Sequence, residues 1–446
     1  MSGQVSLDLL ADLTARAKKL GADAADAVLI DHVSLSAAWR LGKLERLDRS
    51  ESGDIGLRAL VGKRQAMVSS SDRSPKALAD LVERAVAMAK LVPEDPICGL
   101  ADPSDLARSI PDLDLCDPFE PAPELLTERA RECEDAARAH PGITNSEGAE
   151  ASWGLSRFAI VGTNGLARSS QASSFSQAVA VVAGEGSGME RDHDYAVAVY
   201  FSDLTSPRAT GEEAARRAVA RLAPRKMPTA RVPVIFEARV ARGLLSHLSG
   251  AINGAAIARG TSFLKDKMNE RVFAPGIEIL DDPLRKRGLR SRPCDAEGLP
   301  CQARKIIGDG RLATWLLDLR SARQLGLSST GHASRGTSSA PSPSSSNMWL
   351  QAGKQSPAEL MADIKEGFLV CELFGMGVNG LTGDYSRGAS GFWIENGKPA
   401  FPVSEMTVAG NLKEMFLHLT PASDLEMKFG LDSPSVRIEG MTIAGA

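Results

Sequence analysis

The chain has 446 residues, is 43% hydrophobic and 24% charged, and carries a net charge of −4 with a sequence pI near 6.0. It is long enough for two to three domains, and its charge balance excludes a strongly basic nucleic-acid-binding surface. Six cysteines without a C-x-x-C pair read as free or buried thiols of a reducing compartment. No stretch approaches the roughly 18 apolar residues of a membrane span, and the N-terminus lacks the pattern of a signal peptide. The expected location is cytoplasmic.

Leu7, Leu10, Leu13, Ala17 and Leu20 repeat at helical spacing and predict a first helix. Strands are expected at Ala27 to Ala38, Gly42 to Leu47 and Ile55 to Ser70, with a turn at Gly62-Lys63. Ser74-Pro75 supplies an N-cap and an N1 proline for a helix that Pro93 terminates. The Pro- and Asp-rich segment from Pro93 to Pro123 reads as a linker or wrapping loop, followed by a helix from about Pro123 to Ala139. Gly142 to Leu204 turns to strands, with a hairpin signal at Asn164-Gly165. A charged helix from about Thr210 to Leu222 comes next. Pro224 and Pro228 mark a change of domain, giving 1–225 and 226–446.

In the second half one helix, about 238–258, stands out. Val240, Leu244, Leu248, Ile252 and Ala255 form an apolar stripe, with Gly243, Gly250 and Gly254 roughly opposite. That pattern predicts a buried helix packed on both sides, the glycines admitting a close backbone approach. The Ser-rich stretch from Ser328 to Asn347 reads as a disordered loop, or as a mobile loop that orders on a peptide or partner.

Motifs with chemistry are sparse. Gly375-Met376-Gly377-Val378-Asn379-Gly380 spells G-x-G-x-x-G after the apolar Phe368 to Phe374. A dinucleotide site needs a helix opening at the last glycine, and Thr382-Gly383-Asp384 places turn residues there instead. Asp192-His193-Asp194 reads as solvated turn residues rather than a metal site. Arg285, Lys286, Arg287, Arg290 and Arg292 form the densest basic cluster and read as a solvated loop. No G-x-S-x-G elbow is present, so no Ser-His-Asp triad is read from the serines and His332.

The glycine-rich run has a better explanation. It matches the pattern G-x-G-V-N-x-x-T-G-D-[FY]-S-x-G at Gly377, Val378, Asn379, Thr382, Gly383, Asp384, Tyr385, Ser386 and Gly388. It continues through Ile394, Glu395, Gly397, Pro402 and Val403 to Thr407, Ala409, Gly410, Asn411 and Leu412. In this order the residues resemble the C-terminal signature of the TldD/PmbA family. The resemblance implies an α+β protein, with an N-terminal α/β-sheet domain followed by a β-rich, barrel-like C-terminal domain.

The zinc-bearing branch of that family carries H-E-x-x-x-H on a helix, a later Cys, and Gly-Thr-Ser fifteen residues after the first His. Here Gly260-Thr261-Ser262 anchors the comparison and places Leu245, Ser246 and Gly250 at the motif positions. None supplies the required ligand. No Cys follows Cys371, and His247 reads as a hydrogen-bonded imidazole at a packing boundary.

The resemblance therefore implies the zinc-less PmbA (TldE)-like branch. No catalytic residue, metal or cofactor is expected in this chain, and zinc is expected only in a TldD-like partner, with a homodimer as the form of the chain alone. Unfolded peptides are the implied substrate, held by strand addition near Ser328 to Ser338 or Gly375 to Ser386. His332, Arg335, Asn379, Asp384 and Tyr385 are the candidate peptide-binding or chamber-lining residues. Direct contact with nucleic acid or membrane is not expected. Two alternatives stay open: a regulatory binding protein, since the family is also described as a modulator of DNA gyrase, and an independent hydrolase with an unrecognised site.

Overall fold

The structure is a computed structural model that describes residues 3–445. Its N-terminal half is one six-stranded antiparallel sheet in the order β3-β2-β1-β4-β5-β6. The strands are β1 (Ala24–Arg40), β2 (Lys43–Val61), β3 (Arg64–Ser70), β4 (Ile143–Gly162), β5 (Ala167–Ala183) and β6 (Glu190–Ala198). Strands of 17 to 20 residues are long enough for two helix pairs to lie side by side on one face. Helices α1 (Gly3–Lys19) and α2 (Pro75–Leu91) cover Ala25, Ala27 and Leu29 of β1. Helices α3 (Pro123–Arg138) and α4 (Pro207–Ala220) cover Leu35 and Ala37 further along the same strand. The odd-numbered positions of β1 thus make one face, as period-two alternation requires, apolar except at Asp31, which pairs with Arg73 between the two helix pairs.

Local signals account for most element ends. Ser74 caps α2 by accepting from the Ala77 N–H at 3.3 Å, with Pro75 at the first helical position. Gly165 turns between β4 and β5 with φ +90°. The expected separate strands at Gly42 to Leu47 and Ile55 to Val61 are one strand, because β2 pairs with β1 along its whole length. The Pro-rich segment 93–122 wraps the molecule: its Ile97, Gly99 and Leu100 carbonyls accept from Arg323 of the C-terminal half.

The C-terminal half contains a closed five-stranded barrel. Its strands are β7 (Ala230–Phe236), β14 (Glu366–Phe374), β15 (Asp384–Glu395), β16 (Lys398–Asn411) and β19 (Val436–Ala444), and the pairing of β16 with β19 closes the ring. A second sheet, built from β8 (Ile279–Asp281), β9 (Arg304–Gly308), β10 (Arg311–Leu312), β13 (Met348–Leu350) and β18 (Leu431–Asp432), packs into the same core. The α+β architecture with a barrel-like second half is therefore as expected.

Two expectations need correction. The helix at 238–258 is two helices, α5 (Ala238–Ala251) and α6 (Gly254–Ala258), separated where Asn253 caps the second. Leu244, Leu248 and Ile252 are buried, but the glycines do not form a packed strip. A Cβ on Gly243 or Gly250 would meet open space, whereas one on Gly254 would lie 2.6 Å from Leu317 and Ser321. The Ser-rich stretch is ordered by its own hydroxyls. Ser345, Ser346 and Asn347 are buried, the Ser346 hydroxyl donates to Asp281, and β11 (Ala333–Ser334) pairs with β12 (Ser342–Pro343). Its Thr337 carbonyl presses so closely on β2 that Gly56 leaves no room for a Cβ.

Candidate functional site

The outward face of α5 looks across a cleft of about 1090 Å³ at β6, the edge strand of the N-terminal sheet. Arg239, Arg242, Gly243 and Ser246 line it at helical spacing. His193, Tyr195 and Val197 of β6, the Arg285 to Arg290 loop and the segment around Phe429 complete the walls. Among the described residues β5 is the only strand paired with β6; on its other edge the Arg191 carbonyl accepts from Arg221 at 3.1 Å and the His193 N–H donates to the Asp192 carboxylate at 2.8 Å.

Beneath the cleft lies a buried ion network that joins the two halves. Asp192, 2% exposed, receives both terminal nitrogens of Arg239 at 2.7 and 2.9 Å, and one of Arg221 at 3.2 Å. Arg221 also bonds Glu372 of β14 and donates to Ser390 at 2.8 Å. Burial works to raise the Asp192 pKa, but the hydrogen bonds and charge of Arg239, with Arg221, prevail and bring it down to about 2. Asp192-His193-Asp194 is thus a strand segment whose carboxylates are taken by arginines; Asp194 pairs with Arg217 at 2.9 Å.

Arg242 is held differently. Its guanidinium sits 4.4 Å from the Phe429 ring centroid and 5.5 Å from that of Tyr195, and the two rings lie 4.9 Å apart. Phe429 is positioned because Asp432 accepts from the N–H groups of Lys428, Phe429 and Gly430 at 2.8 to 3.1 Å. Among the described residues no carboxylate lies within ion-pair distance of Arg242, Arg285 or Arg290. The basic cluster is therefore more than a solvated loop. Arg285 and Arg290 face the cleft, and Arg287 bonds Asp114 at 2.7 Å and Asp203 at 3.0 Å.

The positions of the metal motif do not converge on a ligand set. Leu245 is 3% exposed and packs into the core, Ser246 presents a hydroxyl to the cleft, and Gly250 is open. His247 stands edge-on to Tyr385 at 6.0 Å, and burial, then the charge of Arg387, lowers its pKa. Among the described residues no three His, Cys, Asp or Glu side chains are grouped to hold a metal ion. The donors present do not fit the zinc site of the related branch.

None of the five residues expected to hold peptide lines this cleft. His332 is 1% exposed, with Nδ1 2.8 Å from Thr330 Oγ1 and Nε2 3.2 Å from Asp281. Arg335 is buried against Asp26 of β1, which Arg58 also bonds. Tyr385 is buried in the barrel core. Asn379 and Asp384 belong to a hydrogen-bonded knot at the barrel rim. Asn379 accepts from Leu381 N–H at 2.9 Å, and Asn411 donates to Asp384 at 3.0 Å and to the Thr382 carbonyl at 3.2 Å. The Leu412 N–H bonds Gly383 O at 2.7 Å. The glycine-rich signature and its A-G-N-L ending are thus two parts of one structural knot.

Arg239 and Arg242 were overlooked by the sequence reading, although their spacing from Ser246 puts them on the same helix face. Phe429 and Tyr195 gave no signal, because they reach Arg242 from segments far apart in the chain.

A two-layer sheet domain joined to a closed barrel, with a cleft at their junction and, among the described residues, no metal-ligand set, is the scaffold. Comparison with known proteins places it further. The chain matches the PmbA/TldA metallopeptidase family over domain 1 (residues 25–89), the central domain (116–222) and the C-terminal domain (229–445). It is 38% identical to the metalloprotease PmbA of Escherichia coli O157:H7, over 95% of this chain and 92% of that protein. It is 36% identical to a PmbA homologue of Haemophilus influenzae, over 96% of this chain and 94% of that protein. A proposed modulator of DNA gyrase from Bacteroides thetaiotaomicron superposes with a TM-score of 0.91, at 26% identity and 98% coverage of both chains. TldE of Thermococcus kodakarensis shares the fold at a TM-score of 0.86 and 21% identity, over 98% of this chain and 100% of that one. The chain belongs to the PmbA/TldD family of metallopeptidases.

Proposed function

We propose that this chain is the non-catalytic, zinc-less subunit of a two-subunit peptidase acting on unfolded peptides. The observation that carries the reading is the cleft face of α5. It presents Arg239, Arg242, Gly243 and Ser246 to a cleft of peptide size, and among the described residues no metal-ligand set is grouped. Hydrolysis then needs a metal-activated water from elsewhere, and a zinc-bearing homologue is the partner that fits. This subunit holds and aligns the peptide, which can lower a barrier by several kcal/mol without a catalytic side chain of its own.

The outer edge of β6, which carries no second strand, is where an extended peptide adds, exchanging the local bonds of the Arg191 carbonyl and the His193 N–H for backbone hydrogen bonds with little demand on sequence. This moves the expected strand addition from Ser328 to Ser338 and Gly375 to Ser386, where Thr330, His332 to Ser334, Val378, Asn379 and Gly383 to Ser386 already make backbone bonds. Arg242, Arg285 and Arg290 favour peptides that bring a carboxylate.

Turnover of an unstructured peptide by this chain, by an H-E-x-x-x-H homologue and by their mixture tests the reading, together with elemental analysis for zinc. The expected result is no cleavage and no stoichiometric zinc for this chain alone, with strong cleavage by the mixture. Chelator-resistant cleavage by the isolated chain would overturn it. Co-purification of a topoisomerase subunit instead of a zinc-bearing homologue would favour the regulatory alternative.

A further inference from the structure

The charges along the cleft are sorted by sign. At the His193 end of β6 the walls carry Asp194, Glu213, Glu237 and Glu372 against Arg217 and Arg239. These groups are joined in contacts that run around that end. Arg217 reaches Asp194 at 2.9 Å and Glu213 at 2.7 Å, Arg239 reaches Glu237 at 3.2 Å and the buried Asp192 at 2.7 Å, and Glu372 bonds Arg221. Carboxylates outnumber arginines on these walls, and Glu213 and Glu237 keep 32% and 33% of their side chains exposed.

At the Val199 end the balance reverses. Tyr200, the next residue, has the Arg287 guanidinium 3.6 Å from its ring centroid, and Asp203 pairs with the same arginine, so the loop from Arg285 to Arg290 stands at this end. Asp114 and Asp203 are both taken by Arg287. Arg285 and Arg290 are left without a carboxylate, and each is held by packing instead. The stem of Arg290 lies across Gly430, where a Cβ would come 2.7 Å from it, and its Nη1 donates to Ser345 Oγ at 3.2 Å. Arg285 stands 5.7 Å from the Trp349 ring centroid. Phe429, the residue before Gly430, backs Arg242, so two consecutive residues seat guanidiniums from α5 and from the loop. Arginines fixed in this way keep paired N–H donors for a carboxylate.

A simple anion would suit the arginine end and be repelled by the other. An extended peptide suits both, because it carries a carboxylate at one terminus and an ammonium at the other. The stretch of β6 from His193 to Val199 lines the cleft throughout. At ~3.3 Å per residue it spans about 20 Å, the length of roughly six or seven extended residues.

Building on the peptide reading of this cleft, we propose that it selects chain ends: the free C-terminal carboxylate of an extended peptide docks on Arg285 and Arg290. The peptide then runs parallel to β6, with its N-terminal side toward Glu213 and Glu237. Interior segments of a long chain bring neither terminal charge and bind less well.

Calorimetric titration of the full chain with a seven-residue peptide of glycine, serine and alanine tests this, the peptide being made as the free acid and as the C-terminal amide. The free acid should bind at least tenfold more tightly, and the preference should vanish in the double variant Arg285→Gln/Arg290→Gln. Equal binding of acid and amide would overturn the inference and leave the peptide reading standing, whereas binding of neither would remove both. A preference for the acid that survives in the double variant would place the carboxylate elsewhere and overturn the inference as well. Direction has its own readout. A peptide with cysteine next to its C-terminus should form a disulfide with Val197→Cys and not with His193→Cys. The reverse pattern, or equal linking of both or of neither, would refute the parallel direction.

Discussion

Arg239 of α5 grips Asp192 of β6 with both terminal nitrogens, at 2.7 Å to Oδ1 and 2.9 Å to Oδ2. One residue belongs to the barrel half and the other to the last strand of the N-terminal sheet. The pair fixes the width of the cleft directly above it.

Asp192→Asn should therefore destabilise more than Arg239→Gln. The first change leaves Arg239 and Arg221 without their shared anion, and breaking a buried pair from one side costs about 3–5 kcal/mol. The second leaves Asp192 with Arg221. Chemical denaturation of both single variants and the double variant should give this order, with a coupling of at least about 1 kcal/mol. Equal and additive losses would show that the pair does not join the halves.

The same carboxylate sets an acid limit. Its folded pKa, about 2, lies below the usual aspartate value of 3.8. The stabilisation is therefore complete above the unfolded value and is lost as pH falls toward the folded one. Stability measured from about pH 5 down to pH 2 should decline less steeply in Asp192→Asn than in the wild type.

Glu297 acts in the opposite direction. Burial first, and then Asp295, push its pKa up to about 8; Asp318 adds to the rise and Arg58 opposes it. The fold favours the protonated acid. Its contribution is full below the unfolded value, near 4.5, and is lost as pH rises through about 8. Glu297→Gln keeps an oxygen for the Leu319 N–H, now bonded at 2.8 Å. The variant should gain on the order of 4 kcal/mol relative to wild type at pH 8.5, and about 1 kcal/mol or less at pH 5. A pH-independent difference would show that the group is not titrating in the fold.

Gly250→Ala and Gly254→Ala should differ in sign. The first adds a methyl in open space on a helix and should be neutral or stabilising, by up to about 1 kcal/mol. The second places a Cβ 2.7 Å from the Leu316 carbonyl and should cost about 1–3 kcal/mol. Thermal melts decide this, and equal shifts would contradict the packing described for α6.

Arg242→Gln should weaken binding of acidic unstructured peptides about tenfold, or about 1.4 kcal/mol, and leave neutral peptides unchanged. Fluorescence anisotropy at two salt concentrations would measure it. An equal loss for both peptide classes would show that Arg242 supports the wall without meeting a carboxylate.

The local signals were legible because they act over a few residues. Ser74-Pro75 opens α2, Asn164-Gly165 turns between β4 and β5, and the apolar stripe from Leu244 to Ile252 goes to the core. The family and its α+β class were legible too, in the long ordered signature from Gly377 to Leu412. Misreadings arose where distant partners intervene. The Ser-rich stretch looked unable to fold, because nothing nearby reveals that Asp281 waits for Ser346. His332 and Arg335 looked available because their partners, Asp281 and Asp26, lie 51 and 309 residues away.

The sequence by itself determined the side-chain inventory and the local periodicities: no imidazole at 245 or 250, and a helix polar on one face. Tertiary structure alone decided which of these surfaces meet. It brought β6 against α5 to make a cleft and stacked Phe429 and Tyr195 on Arg242. It buried Asp192 between two arginines. The physical reason is that helix caps and strand alternation are short-range constraints, whereas a cleft and its electrostatics depend on packing between segments hundreds of residues apart.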